Sequence, residues 1–181
     1  MEKRNKLSLK GILAPTVSLL LICLFTTGIL AVVNAMTEGP IAANMAAQAD
    51  SSRQEIFPGA RFLDNGDYFT ALEPSGALLG YSFETQGKGY GGAIHVTVGL
   101  DPDGNILKVQ VVAADDETPG LGQRVREAGF LNQFIGKSGA LSLGKDVDGV
   151  TGATYSSQGV VDAVNAAQQI YEGQVKGGAE E

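Results

Sequence analysis

The chain has 181 residues and a formal net charge of −7, which is enough for one domain of about 100–150 residues with appendages. This acidic balance argues against nucleic acid as a partner, because binding phosphates requires a surface of clustered Lys and Arg. Cys23 and His95 are the only residues of their types. Disulfides, Cys-ligated zinc, iron–sulfur clusters and bis-His haem are therefore excluded within this chain, and redox chemistry would need an organic cofactor.

Residues 11–35 form an apolar stretch without a charged side chain. As a helix rising 1.5 Å per residue, this stretch spans the roughly 30 Å hydrocarbon layer of a membrane. Basic residues precede it, and the next one is Arg53. The positive-inside rule thus predicts that residues 1–10 are cytoplasmic and that the rest of the chain lies on the extracytoplasmic (periplasmic) side of the cell membrane.

The alternative for this stretch is a signal peptide cleaved after Ala35. The apolar region of a signal peptide has about 7–15 residues, and residues 11–35 exceed that length. The length favours a retained single-pass transmembrane anchor, although both possibilities stay open.

The next residues predict a stalk and then a sheet. Residues 36–60 are Ala-rich and typical of a helical stalk that Pro58 ends. Residues 61–79 alternate apolar runs with turn signals, which indicates short antiparallel strands. Residues 94–100 and 107–111 alternate apolar and polar side chains around a loop, which predicts a hairpin. We expect one face of each strand to be buried and His95 to be solvated on the other.

The last predicted element is a helix that runs to about Tyr171, with its apolar residues at helical spacing. The expected fold class is α+β, with an antiparallel sheet and flanking helices over residues 61–175. A polar tail follows at residues 176–181.

Two glycine-rich segments flank the hairpin, at residues 87–92 and residues 115–122. The start of the first strand and the end of the second lie side by side in an antiparallel hairpin, so both segments should share one end of the sheet. Glycines let the backbone approach a planar ligand, and Pro119 fixes a turn. Two ordinary loops with a solvated acidic cluster would have the same composition.

Residues 148–154, Asp-Gly-Val-Thr-Gly-Ala-Thr, stand directly before the final helix. Their hydroxyls and backbone N–H groups lie where the helix dipole favours an anion, so a phosphate would be well placed there. The alternative is an ordinary helix start, in which a Thr or Ser oxygen caps the N-terminus.

Residues 148–154 resemble the Asp-Gly-x-Thr/Ser-Gly-Ala-Thr signature of an FMN-binding family. This family includes the G subunit of the Rnf electron-transport complex and the C subunit of the sodium-pumping NADH:quinone reductase. Residues 117–122, Glu-Thr-Pro-Gly-Leu-Gly, and residues 87–92, Gly-Lys-Gly-Tyr-Gly-Gly, resemble two further elements of the family in the same order. The resemblance covers residues 78–172. Tyr-Gly-Gly at residues 90–92, the short chain and the lack of Trp favour the Rnf-type G subunits.

The resemblance implies that FMN is esterified through its phosphate to Thr154 by a flavin transferase, which uses FAD as donor and recognises Asp148 and Gly149. It implies that Thr118 and Leu121 contact the flavin ring. The other cofactor contacts that it implies are Glu117 and Gly120 in the same loop, the backbones of Gly91 and Gly92, and N–H groups of Thr151, Gly152 and Ala153 near the phosphate.

No Ser-His-Asp or Cys-His set, paired carboxylates or dinucleotide fingerprint occurs in the sequence, so we predict no catalytic residue and no metal site. The function that remains for the chain is that of an electron carrier. The resemblance implies a redox subunit that relays electrons in an Rnf-type complex, which couples ferredoxin/NAD electron transfer to Na⁺ or H⁺ translocation, with the other Rnf subunits as partners. The alternatives are a C subunit of the quinone reductase and a membrane-anchored flavin sensor, for which residues 1–10 leave no room for an output domain.

Overall fold

The structure, a computed structural model, describes residues 9–177, and the predicted cytoplasmic residues 1–8 and the tail residues 178–181 lie outside this range. The first element, α1, is one continuous helix from Leu9 to Ile56. The chain divides into two units, one ending at Asn44 and the other beginning at Met45. In the first unit every described side chain from residue 13 on is exposed, and the helix is long and apolar enough to cross a membrane.

The second unit contains a five-stranded antiparallel sheet whose spatial order is the chain order. Its strands are β1 (Arg61–Asp64), β2 (Phe69–Leu72), β3 (Leu78–Lys88), β4 (Ala93–Leu100) and β5 (Ile106–Ala113). The predicted hairpin is β4 and β5, with Val98 opposite Val109. The short strands predicted between residues 61 and 79 are present as well, so the predicted antiparallel sheet is confirmed.

Helices complete the α+β fold that the sequence predicts. The short α2 (Ala128–Leu131) lies between two 3₁₀ segments, Gly122–Arg126 and Asn132–Phe134. The long α3 (Thr154–Ile170) continues as a π-helix over Tyr171–Lys176. The side chains of α3 that recur at helical spacing are buried: Val160, Val161, Val164 and Ala167.

Helix α3 packs against β3 at van der Waals contact between the two backbones. A Cβ added to Gly87 in β3 would lie 1.8 Å from the carbonyl oxygen of Gly159 in α3. The hydroxyl of Thr85 donates to the carbonyl of Ala163 at 2.8 Å, one turn further along the helix. Glycine at residue 87 therefore sets how closely the helix approaches the sheet.

The expectation that β4 has one solvated face is wrong. Thr97 and Gly99, on the predicted polar face, are as buried as Val96 and Val98 on the other. The last turns of α1 cover this second face, since a Cβ on Gly99 would lie 2.3 Å from Cγ2 of Ile56. The packed unit thus begins at Met45, before the domain boundary predicted at residue 61, and His95 is half-buried instead of solvated.

Arg53 attaches the last turns of α1 to the sheet. Its side chain forms ion pairs with Asp50 one turn earlier and with Glu84 in β3. Its guanidinium carbon lies 3.9 Å from the centroid of the Phe69 ring in β2, a cation–π geometry. Only 9% of Arg53 is exposed, so these contacts satisfy a charge that packing removes from water.

Candidate functional site

The two glycine-rich loops meet at one end of the sheet, as the hairpin predicted. The backbone N–H of Gly91, after β3, donates to Oε1 of Glu117, after β5, at 3.0 Å. The hydroxyl of Ser156 in the first turn of α3 donates to the other carboxylate oxygen, Oε2. Three segments far apart in sequence are therefore joined at the same point.

A cleft of about 300 Å³ lies where these segments meet. Some of the residues in its wall were predicted as cofactor contacts from the sequence: Thr118, Leu121, Gly152, Ala153 and Thr154. Others had no predicted role: Tyr90, Gly122, Tyr155 and Ser156. The wall thus combines the start of α3, including the ring of Tyr155, with Tyr90 and Leu121 from the loops.

The start of α3 is not capped by a side chain. Its cap residue is Ala153, and no side-chain hydrogen bond caps the helix, so the alternative of a Ser or Thr cap is not observed. The nearby hydroxyls serve other partners, with Ser156 bonded to Glu117 and Ser157 accepting from the N–H of Val150 at 3.0 Å. The positive end of the helix dipole therefore remains available to an anion.

Thr154 is the first residue of α3. Its side chain is exposed and lines the cleft. The turn before it is closed by a 2.9 Å hydrogen bond from the N–H of Ala153 to the carbonyl of Val150, and Gly152 adopts a φ of +80° there, which favours glycine. This turn presents the Thr154 hydroxyl at the helix start.

Two tyrosines in the cleft wall are among the residues for which the sequence analysis predicted no role. Tyr90 and Tyr155 are 74% and 72% exposed, and their ring centroids are 6.3 Å apart. Exposed aromatic rings grouped at a cleft are typical of binding surfaces. An isolated Tyr within a glycine-rich motif gives no such signal, because the pairing of the two rings depends on the tertiary fold.

Several predicted contacts lie outside the wall of this cleft. Glu117 is only 2% exposed, and its carboxylate is directed toward Gly91 and Ser156. Gly91 and Gly92 line a neighbouring cavity of about 420 Å³. Thr151 and Gly120 are exposed, and neither lines the 300 Å³ cleft. Their direct contact with a cofactor stays a prediction.

Asp148 and Gly149, predicted to be recognised by another protein, lie on the surface. The side-chain amide of Gln133 forms two hydrogen bonds with the backbone of Asp148. It accepts from the Asp148 N–H at 2.8 Å and donates to the Asp148 carbonyl at 3.2 Å. The Asp148 backbone is thus held in place while its carboxylate remains exposed.

These features fit a phosphorylated flavin. The uncapped helix start suits a phosphate, and the cleft walls offer Leu121 and the two tyrosines to a planar ring. Thr154 is both the first residue of this helix and part of the cleft wall.

Comparisons with known proteins show which families the sequence matches. A family model described as an FMN-binding domain matches residues 89–169, and one described as the RnfG N-terminal region matches residues 6–56. The crystal structure of Shewanella oneidensis NqrC is similar, with 30% identity and a TM-score of 0.47, and the match covers 54% of this chain and 52% of that one.

Two curated relatives match over most of their length. One is the G subunit of the ion-translocating oxidoreductase complex of Methanosarcina acetivorans, at 29% identity over 87% of this chain and 93% of that protein. The other is the G subunit of the proton-translocating ferredoxin:NAD(+) oxidoreductase complex of Clostridium ljungdahlii, at 33% identity over 87% of this chain and 90% of that protein. The chain therefore belongs to the family of G subunits of ion-translocating oxidoreductase complexes, as a membrane-anchored, electron-carrying redox subunit with an FMN-binding domain.

Proposed function

We propose that this subunit carries FMN covalently, through a phosphoester between the flavin phosphate and the hydroxyl of Thr154. The observation that supports this most directly is the exposed Thr154 hydroxyl on the first residue of a helix without a side-chain cap. A flavin transferase would form the bond with FAD as donor, breaking the FAD pyrophosphate so that FMN passes to the hydroxyl and AMP and a proton leave. We propose that this enzyme recognises the exposed Asp148 and Gly149, where the Gln133 side chain holds the Asp148 backbone in place.

The residues around Thr154 would hold the two ends of the cofactor. Backbone N–H groups of Thr151, Gly152 and Ala153 are proposed for the phosphate. Thr118 and Leu121, with the two tyrosines, are proposed for the ring. Bound FMN supplies the electron transfer, and the covalent bond keeps it from being lost by dilution outside the cytoplasm.

The position in the membrane is part of the proposal. We propose that residues 11–35 are a retained span, with residues 1–10 in the cytoplasm, residues 36–60 as a stalk that is helical as far as Ile56, and the flavin site on the extracytoplasmic side. The basic residues before the span support this orientation. An intact N-terminus on the membrane-bound protein would agree with it, whereas a mature chain beginning at Met36 would contradict it.

We also propose that the subunit works with the other subunits of an Rnf-type complex, which couples electron transfer between ferredoxin and NAD to the movement of Na⁺ or H⁺. The name of the Clostridium relative includes proton translocation and ferredoxin:NAD(+) oxidoreduction. Co-purification of the chain with ferredoxin-oxidising activity would support this assignment, and co-purification with quinone-reducing activity instead would favour the quinone reductase.

The attachment site is tested by producing the full chain together with a flavin transferase. The wild type and Thr151→Ala should retain flavin fluorescence on a denaturing gel and an intact-mass increment of one FMN less water, whereas Thr154→Ala should show neither. Covalent flavin in Thr154→Ala would move the attachment elsewhere, with Thr151 the first residue to examine. A wild type without covalent flavin would overturn the proposal.

A further inference from the structure

Glu117 is a buried carboxylate directly behind the proposed flavin site. Only 2% of the residue is exposed. Both oxygens accept a hydrogen bond, Oε1 from the N–H of Gly91 at 3.0 Å and Oε2 from the hydroxyl of Ser156. Two neighbours in the cleft wall, Gly122 and Ser156, touch it, since a Cβ on Gly122 would lie 2.7 Å from Oε2.

This carboxylate has no basic partner within residues 9–177. Among the side chains that the structure describes, the ion pairs formed by Lys and Arg involve other acids, and none includes Glu117. Two hydrogen-bond donors therefore compensate its burial without neutralising it. A charge in a medium of low dielectric acts on nearby groups more strongly than it would in water.

We propose that Glu117 is a positioning residue that fixes the glycine-rich loop at residues 87–92 against the start of α3. Its negative charge, held behind the cleft, lowers the reduction potential of the bound flavin. Reduction adds electron density to the ring, and a fixed negative charge behind it opposes that change. The hydroxyl dipole of Ser156 points its hydrogen at the carboxylate and weakens its field. This inference rests on the proposed function, because it concerns the same flavin.

The test measures the midpoint potential of covalently attached flavin in the full chain, produced with a flavin transferase and kept in detergent. Glu117→Gln keeps the shape and removes the charge, so its potential should shift to a more positive value. Ser156→Ala keeps the charge and removes the compensating dipole, so its potential should shift to a more negative value. Glu127→Gln, an exposed Glu paired with Arg124, is the matched control and should not shift.

Opposite shifts in the two variants support the proposal. Shifts of the same sign in both variants overturn it, because a purely structural role would loosen the cleft in both cases. No shift in either variant also overturns it, because the charge would then have no effect on the flavin. Should Glu117→Gln fail to fold or to accept flavin, the midpoint potential of Ser156→Ala becomes the test. An unchanged or more positive potential in Ser156→Ala would then overturn the proposal. Loss of covalent flavin from the wild type would instead contradict the proposed function.

Discussion

Glu117 and Ser156 are 39 positions apart in the chain, yet they share a buried hydrogen bond. This contact joins the loop after β5 to the first turn of α3. The space around it is filled by backbone, since a Cβ on Gly89 would lie 2.1 Å from Oε1 of Glu117. Two glycine motifs that look like flexible loops in the sequence are therefore packed around one carboxylate.

The close approach of α3 to β3 predicts a large stability difference between two glycine substitutions. Gly87→Ala places a Cβ 1.8 Å from the carbonyl oxygen of Gly159, so the helix must move, at a cost of about 3 kcal/mol for overpacking. Gly129 in α2 has no atom within 4 Å of an added Cβ, and Gly129→Ala should be neutral or slightly stabilising. The melting temperatures of the two variants, measured on the full chain in detergent, test this difference. Equal melting temperatures would contradict the contact.

Tyr155 should shield the flavin from solvent. We expect Tyr155→Ala to keep its covalent FMN, because the Thr154 hydroxyl is unchanged, while the ring loses an aromatic wall of the cleft. Iodide should then quench the flavin fluorescence more strongly than in the wild type. Leu107→Ala, at a partly exposed side chain of β5, serves as the control and should leave quenching unchanged. Unaltered quenching in Tyr155→Ala would place the ring away from this tyrosine.

Arg53 should contribute more to stability than a surface arginine. Arg53→Gln removes two ion pairs and the contact with the Phe69 ring, which together are worth about 2 kcal/mol. Arg124 forms one ion pair, with Glu127, and both side chains are about half exposed, so Arg124→Gln should cost less than about 0.5 kcal/mol. Melting temperatures of the two variants in the full chain give the comparison, and similar values for both would refute it.

Because of Asp101, the stability of the fold should fall as the pH becomes acidic. Burial acts to raise the pKa of Asp101, but hydrogen bonds from the Asn105 side chain and from backbone N–H groups outweigh it and hold the pKa below 3.8. The N–H groups of Asp103 and Asn105 donate to Oδ1 at 2.9 and 2.8 Å, and Nδ2 of Asn105 donates to Oδ2 at 2.9 Å. A carboxylate with a lowered folded pKa stabilises the fold above its unfolded pKa, and that contribution is lost as the pH falls through the folded value.

We therefore expect Asp101→Asn to melt below the wild type at neutral pH, with a difference that shrinks once the pH falls below 3.8. Asp103→Asn is a control in the same loop, since the Asp103 side chain is exposed, and its melting temperature should follow that of the wild type. A difference for Asp101→Asn that persists unchanged into strong acid would show that the carboxylate charge is not its source.

The sequence predicted those features that depend on local spacing. The alternation in β4 and β5, the apolar stripe of α3 and the shared end of the two glycine-rich loops all follow from short stretches of chain. The second buried face of β4 was not predicted, because the residue that covers it at Gly99, Ile56, belongs to a helix distant in sequence. The same reason applies to the cleft, since Thr154 and Leu121 belong to motifs, whereas the pairing of Tyr90 with Tyr155 exists only after folding.

The sheet grows in chain order from β1 to β5, but the cleft takes its last wall from α3, near the end of the polypeptide. Each strand pairs with the one made just before it, so the sheet can assemble while synthesis continues. The Thr154 hydroxyl reaches its final surroundings only after Thr154–Ile170 has docked and Ser156 has met Glu117. With the attachment proposed at Thr154, maturation would follow the docking of α3, and chains cut short before α3 would lack the proposed acceptor.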